Sequence, residues 1–146
     1  MEQSLQGLID AQRALRGRFD DFRKAFDRRD EEAYRLGLAD FHRCLRRWTE
    51  AEEKALLPAL LRAGTPGRDP RRELRLEGVQ LRELTRYLLS QMTDRAPLPD
   101  ILGFADNLER RWSAHESEME RVYYPAAATV LTAEEWNILA AAAPET

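Results

Sequence analysis

The stretch that decides the fold is WTEAEEKALLP, residues 48–58, because it recurs in altered form as HESEMERVYYP, residues 115–125. Each copy carries large side chains three and four residues apart, a spacing typical of one face of an α-helix. Each copy also ends on a proline. Upstream, QRALR at residues 12–16 aligns in the same way with GVQLR at residues 78–82. The repeated pattern predicts two helical hairpins related by a pseudo-twofold axis.

Apolar stripes of this kind extend along four long segments of the chain and predict four long helices. Pro58 lies inside the second stripe and predicts a kink near the end of that helix. The fourth stripe runs through Trp112, His115, Met119 and Val122. Pro125 then predicts the end of the fourth helix. The predicted helices span residues 4–28, 30–63, 69–92 and 99–125.

Capping and turn residues mark the ends of the predicted helices. Asp30 and Asp69 are good N-caps for the second and third helices, and Gly64 is suited to ending the second. The segment Thr132–Glu135 has the pattern of a capping box. It predicts a short fifth helix that ends near Ala142.

The fold class follows from these elements and from the composition. The chain has 146 residues, of which 43% are hydrophobic and 34% charged, a balance typical of one soluble globular domain. No segment shows the alternation of a β-strand for more than a few residues. We therefore predict an all-α domain over residues 1–146. Its architecture is expected to be an antiparallel up-down-up-down four-helix bundle with a short fifth C-terminal helix.

Several classes of function are disfavoured by the sequence. A net charge of −3 gives no reason to expect a nucleic-acid partner, and no apolar run approaches the length of a membrane span. The N-terminal residues do not resemble a signal peptide, and Cys44 is the single cysteine, so we expect a cytoplasmic protein. No nucleophile with a nearby base, phosphate-binding loop or zinc-type spacing occurs in the sequence. We therefore expect a protein that is not an enzyme.

One residue in each of the four stripes breaks the apolar pattern. These residues are Gln12, Glu52, Gly78 and His115. Each lies near the middle of its predicted helix, on the face expected to point into the core. A buried polar layer in a four-helix bundle is where a metal or cofactor site is usually built.

The spacing and the motif EEKALLP, residues 52–58, resemble the hemerythrin-like cation-binding domain, also called the HHE domain. The resemblance covers nearly the whole chain, and residues 131–139 resemble the short helix that often follows such domains. Members of that family hold two iron atoms through histidines and carboxylates and bind oxygen, or sense oxygen, iron or nitric oxide. The resemblance implies six ligand positions in this chain, which are Gln12, Trp48, Glu52, Gly78, His115 and Met119.

Only Glu52 and His115 among those six positions keep the residue type of a usual ligand. A two-iron site needs several imidazoles and bridging carboxylates, so we expect no metal and no other cofactor in this degenerate member. The replacements suggest a packed core instead. We expect the Trp48 indole to occupy the space that Gly78 leaves, Met119 to fill the remaining gap, and Glu52 to pair directly with His115.

Three functional interpretations follow. The first is a non-enzymatic structural, interaction or regulatory protein that self-associates or binds a protein partner, with an apolar rim near Tyr87, Tyr123 and Tyr124 as the candidate surface.

The second interpretation is an atypical iron protein, with one or two irons, that senses oxygen, iron or nitric oxide. It would use Glu52, His115 and a Gln12 amide oxygen. The third is a binder of apolar small molecules in the former metal cavity, lined by Trp48, Trp112 and Met119.

Overall fold

The computed structural model describes residues 1–145, and within that range it contains helices and no β-strand. Two segments of π-helix, Glu52–Leu56 and Met119–Tyr123, connect α-helices without a break in the helical path. The α-helices are α1 (Leu5–Asp27), α2 (Glu31–Ala51), α3 (Leu57–Ala63), α4 (Pro70–Thr93), α5 (Leu98–Glu118), α6 (Tyr124–Ala128) and α7 (Ala133–Ala142). The all-α fold class is therefore confirmed.

The N-caps are formed by the residues that the sequence indicated. The side chains of Asp30 and Asp69 accept hydrogen bonds from backbone N–H groups in the first turns of α2 and α4. Thr132 and Glu135 form a complete capping box at the start of α7. The α3 helix ends at Gly64, whose φ of 77° lies in the left-handed region that favours glycine. Local chemistry alone accounts for these boundaries.

Both internal prolines lie directly after a π-helical turn. Before Pro58, the N–H of Leu57 donates to the carbonyl oxygen of Glu52, five residues back. Before Pro125, the N–H of Tyr124 donates to the carbonyl oxygen of Met119 in the same way. The widened turn precedes a residue that has no N–H to donate. The expectation that Pro125 ends the fourth helix is wrong, because α6 carries the helical path to residue 128.

The second π-helical turn also changes which side chains enter the core. The regular stripe predicted that Val122 is buried, but Val122 is only partly buried while Tyr123 and Tyr124 are fully buried. A π-helical turn contains one residue more than an α-helical turn, so the residues after it rotate to a new phase. This rotation brings Tyr124 into the centre of the molecule.

The helices enclose one continuous hydrophobic core. The α2 helix packs against both α1 and α4, α4 also packs against α5, and α7 covers α2 and the first π-helical turn. Within the core, Phe41 contacts Phe19 and Trp112 edge-on, with ring centroids 5.3 and 5.7 Å apart. None of the helices formed by the described residues is long and apolar enough to cross a membrane.

Ion pairs at the edge of the core hold α1 against α5. The guanidinium of Arg16 on α1 contacts the carboxylates of Glu109 and Glu116 on α5 at 3.3 and 3.4 Å. Farther along the same pair of helices, Arg23 donates to Asp106 at 2.8 Å. Along the same pair of helices, Gln12 of α1 lies beside the backbone of Glu116 and donates to its carbonyl oxygen.

Candidate functional site

The centre of the core holds a buried polar cluster built around the hydroxyl of Tyr124. Trp48 Nε1 donates to this hydroxyl at 3.2 Å. Gln12 Oε1 lies 2.8 Å from the hydroxyl oxygen, and Glu52 Oε2 lies 3.0 Å from it. The four side chains come from α1, α2, the first π-helical turn and α6, and all are buried, with Glu52 the most exposed at 4%. We call these four residues the Tyr124 cluster.

The hydrogen atoms in the Tyr124 cluster can be assigned from its geometry. Gln12 Nε2 donates to the carbonyl oxygen of Glu116 at 3.1 Å, which leaves Gln12 Oε1 facing the tyrosine as an acceptor. Trp48 Nε1 is only a donor, and a tyrosine hydroxyl has one proton to give. If Tyr124 donates to Gln12, then Glu52 must donate to the tyrosine oxygen. A protonated Glu52 therefore satisfies every hydrogen bond of the cluster.

Below about pH 7, electrostatics favours the same protonation state of Glu52. Burial raises the pKa of Glu52 to about 7, against the opposing effects of nearby His115 and of the Tyr124 hydrogen bond. Burial and the neighbouring Glu52 carboxyl also raise the pKa of Tyr124 well above its ordinary value. Both groups are neutral when protonated, and a neutral group costs far less to bury than a charged one.

His115 has a different partner from the one expected. Its Nδ1 atom lies 2.7 Å from Glu77 Oε2 on α4, while the Glu52 carboxyl bonds to Tyr124. The expected direct pair of Glu52 and His115 is therefore wrong. The physical reason is that Glu77 extends from the neighbouring helix and remains partly exposed, so its charge is hydrated while it holds the buried imidazole.

Gly78 is covered by a different side chain from the one expected. A Cβ atom at this position would lie 3.6 Å from both Thr49 Cβ and Arg82 Nη1. Arg82 Nη1 donates to Thr49 Oγ1 at 2.6 Å and so spans the glycine from α4 to α2. The expectation that the Trp48 indole fills the space left by Gly78 is wrong. Trp48 and Thr49 are consecutive on a helix and point about 100° apart, so only one of them can face this glycine.

The other residues expected to form surfaces or cavities lie in the packed core. Trp48, Trp112 and Met119 are almost completely buried in the core, and the surface clefts are lined by other residues. The expected apolar rim is wrong for Tyr123 and Tyr124, which are fully buried. Only Tyr87 remains at the surface, with 47% of its area exposed.

The six positions implied by the family resemblance divide into two groups. Gln12, Trp48 and Glu52 meet at the Tyr124 hydroxyl, whereas His115 bonds to Glu77 and Gly78 packs against Thr49 and Arg82. Met119 is buried without a polar contact of its own. Among the described residues no group of three or more His, Cys, Asp or Glu side chains is arranged to hold a metal ion.

The residues that are present do not fit a two-iron centre. The Gln12 and Glu52 oxygens that face the core are both hydrogen-bonded to Tyr124, and the position of a fourth-helix carboxylate is taken by a methionine. Sequence reasoning missed Tyr124 and Glu77. Pro125 was the available signal for Tyr124, because a π-helical turn before a proline shifts the helix phase.

Comparisons with protein-family models, with curated proteins and with solved structures gave no match to this chain. The fold and the site therefore define its class by themselves. Over residues 1–145 it is an all-α protein with a buried polar cluster around the Tyr124 hydroxyl.

Proposed function

We propose that this chain is a single-domain, hemerythrin-like bundle in which the Tyr124 cluster replaces the two-iron site. Its helices would follow an antiparallel up-down-up-down order, with α7 as the short fifth helix. One observation carries the proposal. The Tyr124 hydroxyl lies within 3.2 Å of polar atoms from three of the six expected ligand positions, which are Gln12, Trp48 and Glu52.

The contacts between helices support the bundle arrangement. The α1 and α2 helices pack together and are joined by a short connection at residues 28–30, and α4 and α5 are joined by residues 94–97. Short connections between long helices that pack together favour antiparallel neighbours. The two π-helical turns occupy matching places in the two halves, which is the pseudo-twofold pattern that the repeated sequence indicates.

The role that fits this core is non-enzymatic. The buried polar groups of the Tyr124 cluster are hydrogen-bonded to one another, which favours one register of the helices and leaves no open position for a substrate. Structural, interaction or regulatory activity would then reside at the surface, through self-association or a protein partner. Sedimentation velocity at increasing protein concentration and affinity capture with the intact protein test this role. A protein that stays monomeric and captures no partner would contradict it.

Elemental analysis of protein purified without oxygen tests the loss of the metal site most directly. The expected iron content is well below one atom per chain, and the visible spectrum should lack iron charge-transfer bands. The same analysis after incubation with excess Fe²⁺ and desalting tests whether metal was merely lost in purification. Iron near one or two atoms per chain in either sample would overturn the proposal.

A second candidate is the atypical metal protein, which one contact favours. A carboxylate on one imidazole nitrogen is the arrangement that orients a metal-binding histidine, and Glu77 holds His115 in this way at 2.7 Å. In that case His115→Ala should abolish any bound metal, while His42→Ala, which alters the other histidine, should not. Metal content that does not change in His115→Ala would rule this candidate out.

A further inference from the structure

A cleft of about 460 Å³ opens between α4 and α5 at the surface above His115. This volume lies within the range of pockets that hold small molecules. Leu81 and Ala114 give the cleft an apolar lining, and Gln80 adds an amide from α4. No member of the Tyr124 cluster lines it, so the cleft is separate from the buried core.

Most of the charged groups that line the cleft already have partners. Arg68 contacts the carboxylates of both Glu73 and Glu118, and Glu77 is bonded to His115. Arg111 from α5 is different, because within residues 1–145 its guanidinium has no ion pair or side-chain hydrogen bond. A guanidinium offers a flat pair of N–H donors that matches a carboxylate. Arg111 is therefore the group in the cleft that is free to bind an anion.

His115 supplies a second, more deeply placed polar contact. Its side chain is 95% buried, and its small exposed part lines the cleft. Glu77 engages Nδ1, and no described residue is hydrogen-bonded to Nε2. In the neutral imidazole this arrangement places the proton on Nδ1 and leaves Nε2 as an acceptor. A hydroxyl group suits Nε2, since it can donate to the neutral ring or accept from the charged one.

We propose that the cleft between α4 and α5 binds a small carboxylate that also carries a hydroxyl group. The carboxylate pairs with Arg111, the apolar body lies against Leu81 and Ala114, and the hydroxyl bonds to His115 Nε2. This site uses none of the Tyr124 cluster, and it assigns His115 Nε2 to the ligand in the cleft rather than to a metal.

The chain has two histidines, which makes NMR a direct test. The probe is 4-hydroxybenzoate, added to the full-length protein while the ring proton signals of both histidines are followed. Binding in the cleft should shift the His115 signal to saturation and leave the His42 signal unchanged. The signals are assigned with a His42→Gln variant, which leaves the cleft intact. Absence of a His115 shift up to about 10 mM probe, where even a millimolar site would fill, would overturn the proposal.

Matched ligands and variants test the assigned contacts. The neutral amide 4-hydroxybenzamide and the cation tyramine should bind about tenfold more weakly than the carboxylate, because they cannot pair with a guanidinium. Arg111→Gln should weaken 4-hydroxybenzoate binding by about tenfold, whereas Arg110→Gln, at the adjacent exposed position outside the cleft, should not. Equal losses in both variants, or equal binding of all three ligands, would contradict the assigned site.

Discussion

The protonated state of Glu52 predicts that Glu52→Gln will abolish a pH dependence of the folding stability. In the folded protein burial raises the pKa of this carboxyl to about 7, compared with about 4.5 for an exposed glutamate. The folded chain therefore holds one more proton than the unfolded chain between these two values. Its stability should fall as the pH rises through this window. Glutamine has nearly the same size, is always neutral and can donate to the Tyr124 oxygen.

The magnitude follows from the width of the window. Each pH unit between about 4.5 and about 7 lowers the free energy of unfolding by about 1.4 kcal/mol. The wild-type protein should thus lose about 3 kcal/mol relative to Glu52→Gln between pH 4.5 and pH 7.5. The stabilising contribution of Glu52 is complete below its unfolded pKa and is lost as the pH passes its folded pKa. For a protein of this size this is a large part of the total stability.

Urea denaturation followed by tryptophan fluorescence measures this difference, since all three tryptophans are buried in the core. The useful quantity is the stability of wild type minus that of Glu52→Gln at each pH. Titrating groups that are not coupled to Glu52, such as Glu116, whose pKa burial also raises, contribute to both proteins and cancel. Glu50→Gln is the matched control, because it removes a nearby exposed carboxylate on the same helix that lies outside the Tyr124 cluster and contacts Arg46.

A constant difference between wild type and Glu52→Gln from pH 4.5 to 7.5 would refute this reasoning. It would mean that Glu52 ionises in the fold as it does in water. If the stability of wild type relative to Glu52→Gln instead rose with pH, the folded protein would have to stabilise the charged carboxylate. The hydrogen-bond assignment of the Tyr124 cluster would then be wrong as well.

Three further predictions concern the core. Tyr124→Phe should lower the free energy of unfolding by about 1–3 kcal/mol at pH 5 in the same denaturation assay, because it leaves buried polar groups without a partner. The control Tyr87→Phe changes a half-exposed ring and should lower it much less. Gly78→Ala should raise the stability by up to about 1 kcal/mol, since its Cβ would make ordinary contacts. A Cβ at Gly103 would meet no other atom within 4 Å, so Gly103→Ala measures the gain from helix propensity alone. If Gly78→Ala is less stable than wild type, then α2 and α4 pack more tightly than described. Trp48→His should not bind iron, because the Tyr124 hydroxyl still occupies the cluster; stoichiometric iron in elemental analysis of that variant would disprove this.

The sequence by itself determined the helices, their caps and the polar breaks in their apolar faces. Asp30, Asp69 and Thr132 cap the helices that they precede, because a cap depends on side chains and backbone groups within one turn. The burial of Gln12, Glu52 and His115 also follows from a local rule, the 3.6-residue period. These features need no knowledge of what lies across the core.

Only the tertiary structure decided which polar groups meet. Tyr124 lies 112 residues after Gln12 in the chain, and it reaches the core because a π-helical turn rotates it there. Glu77, rather than Glu52, holds His115, since helix rotation and register bring its carboxylate within 2.7 Å. Predicting a buried face from the sequence assumes 3.6 residues in every helical turn. One extra residue in a turn rotates the next side chain by about 100° around the helix axis. That local rotation, combined with contacts between distant helices, determines the buried site.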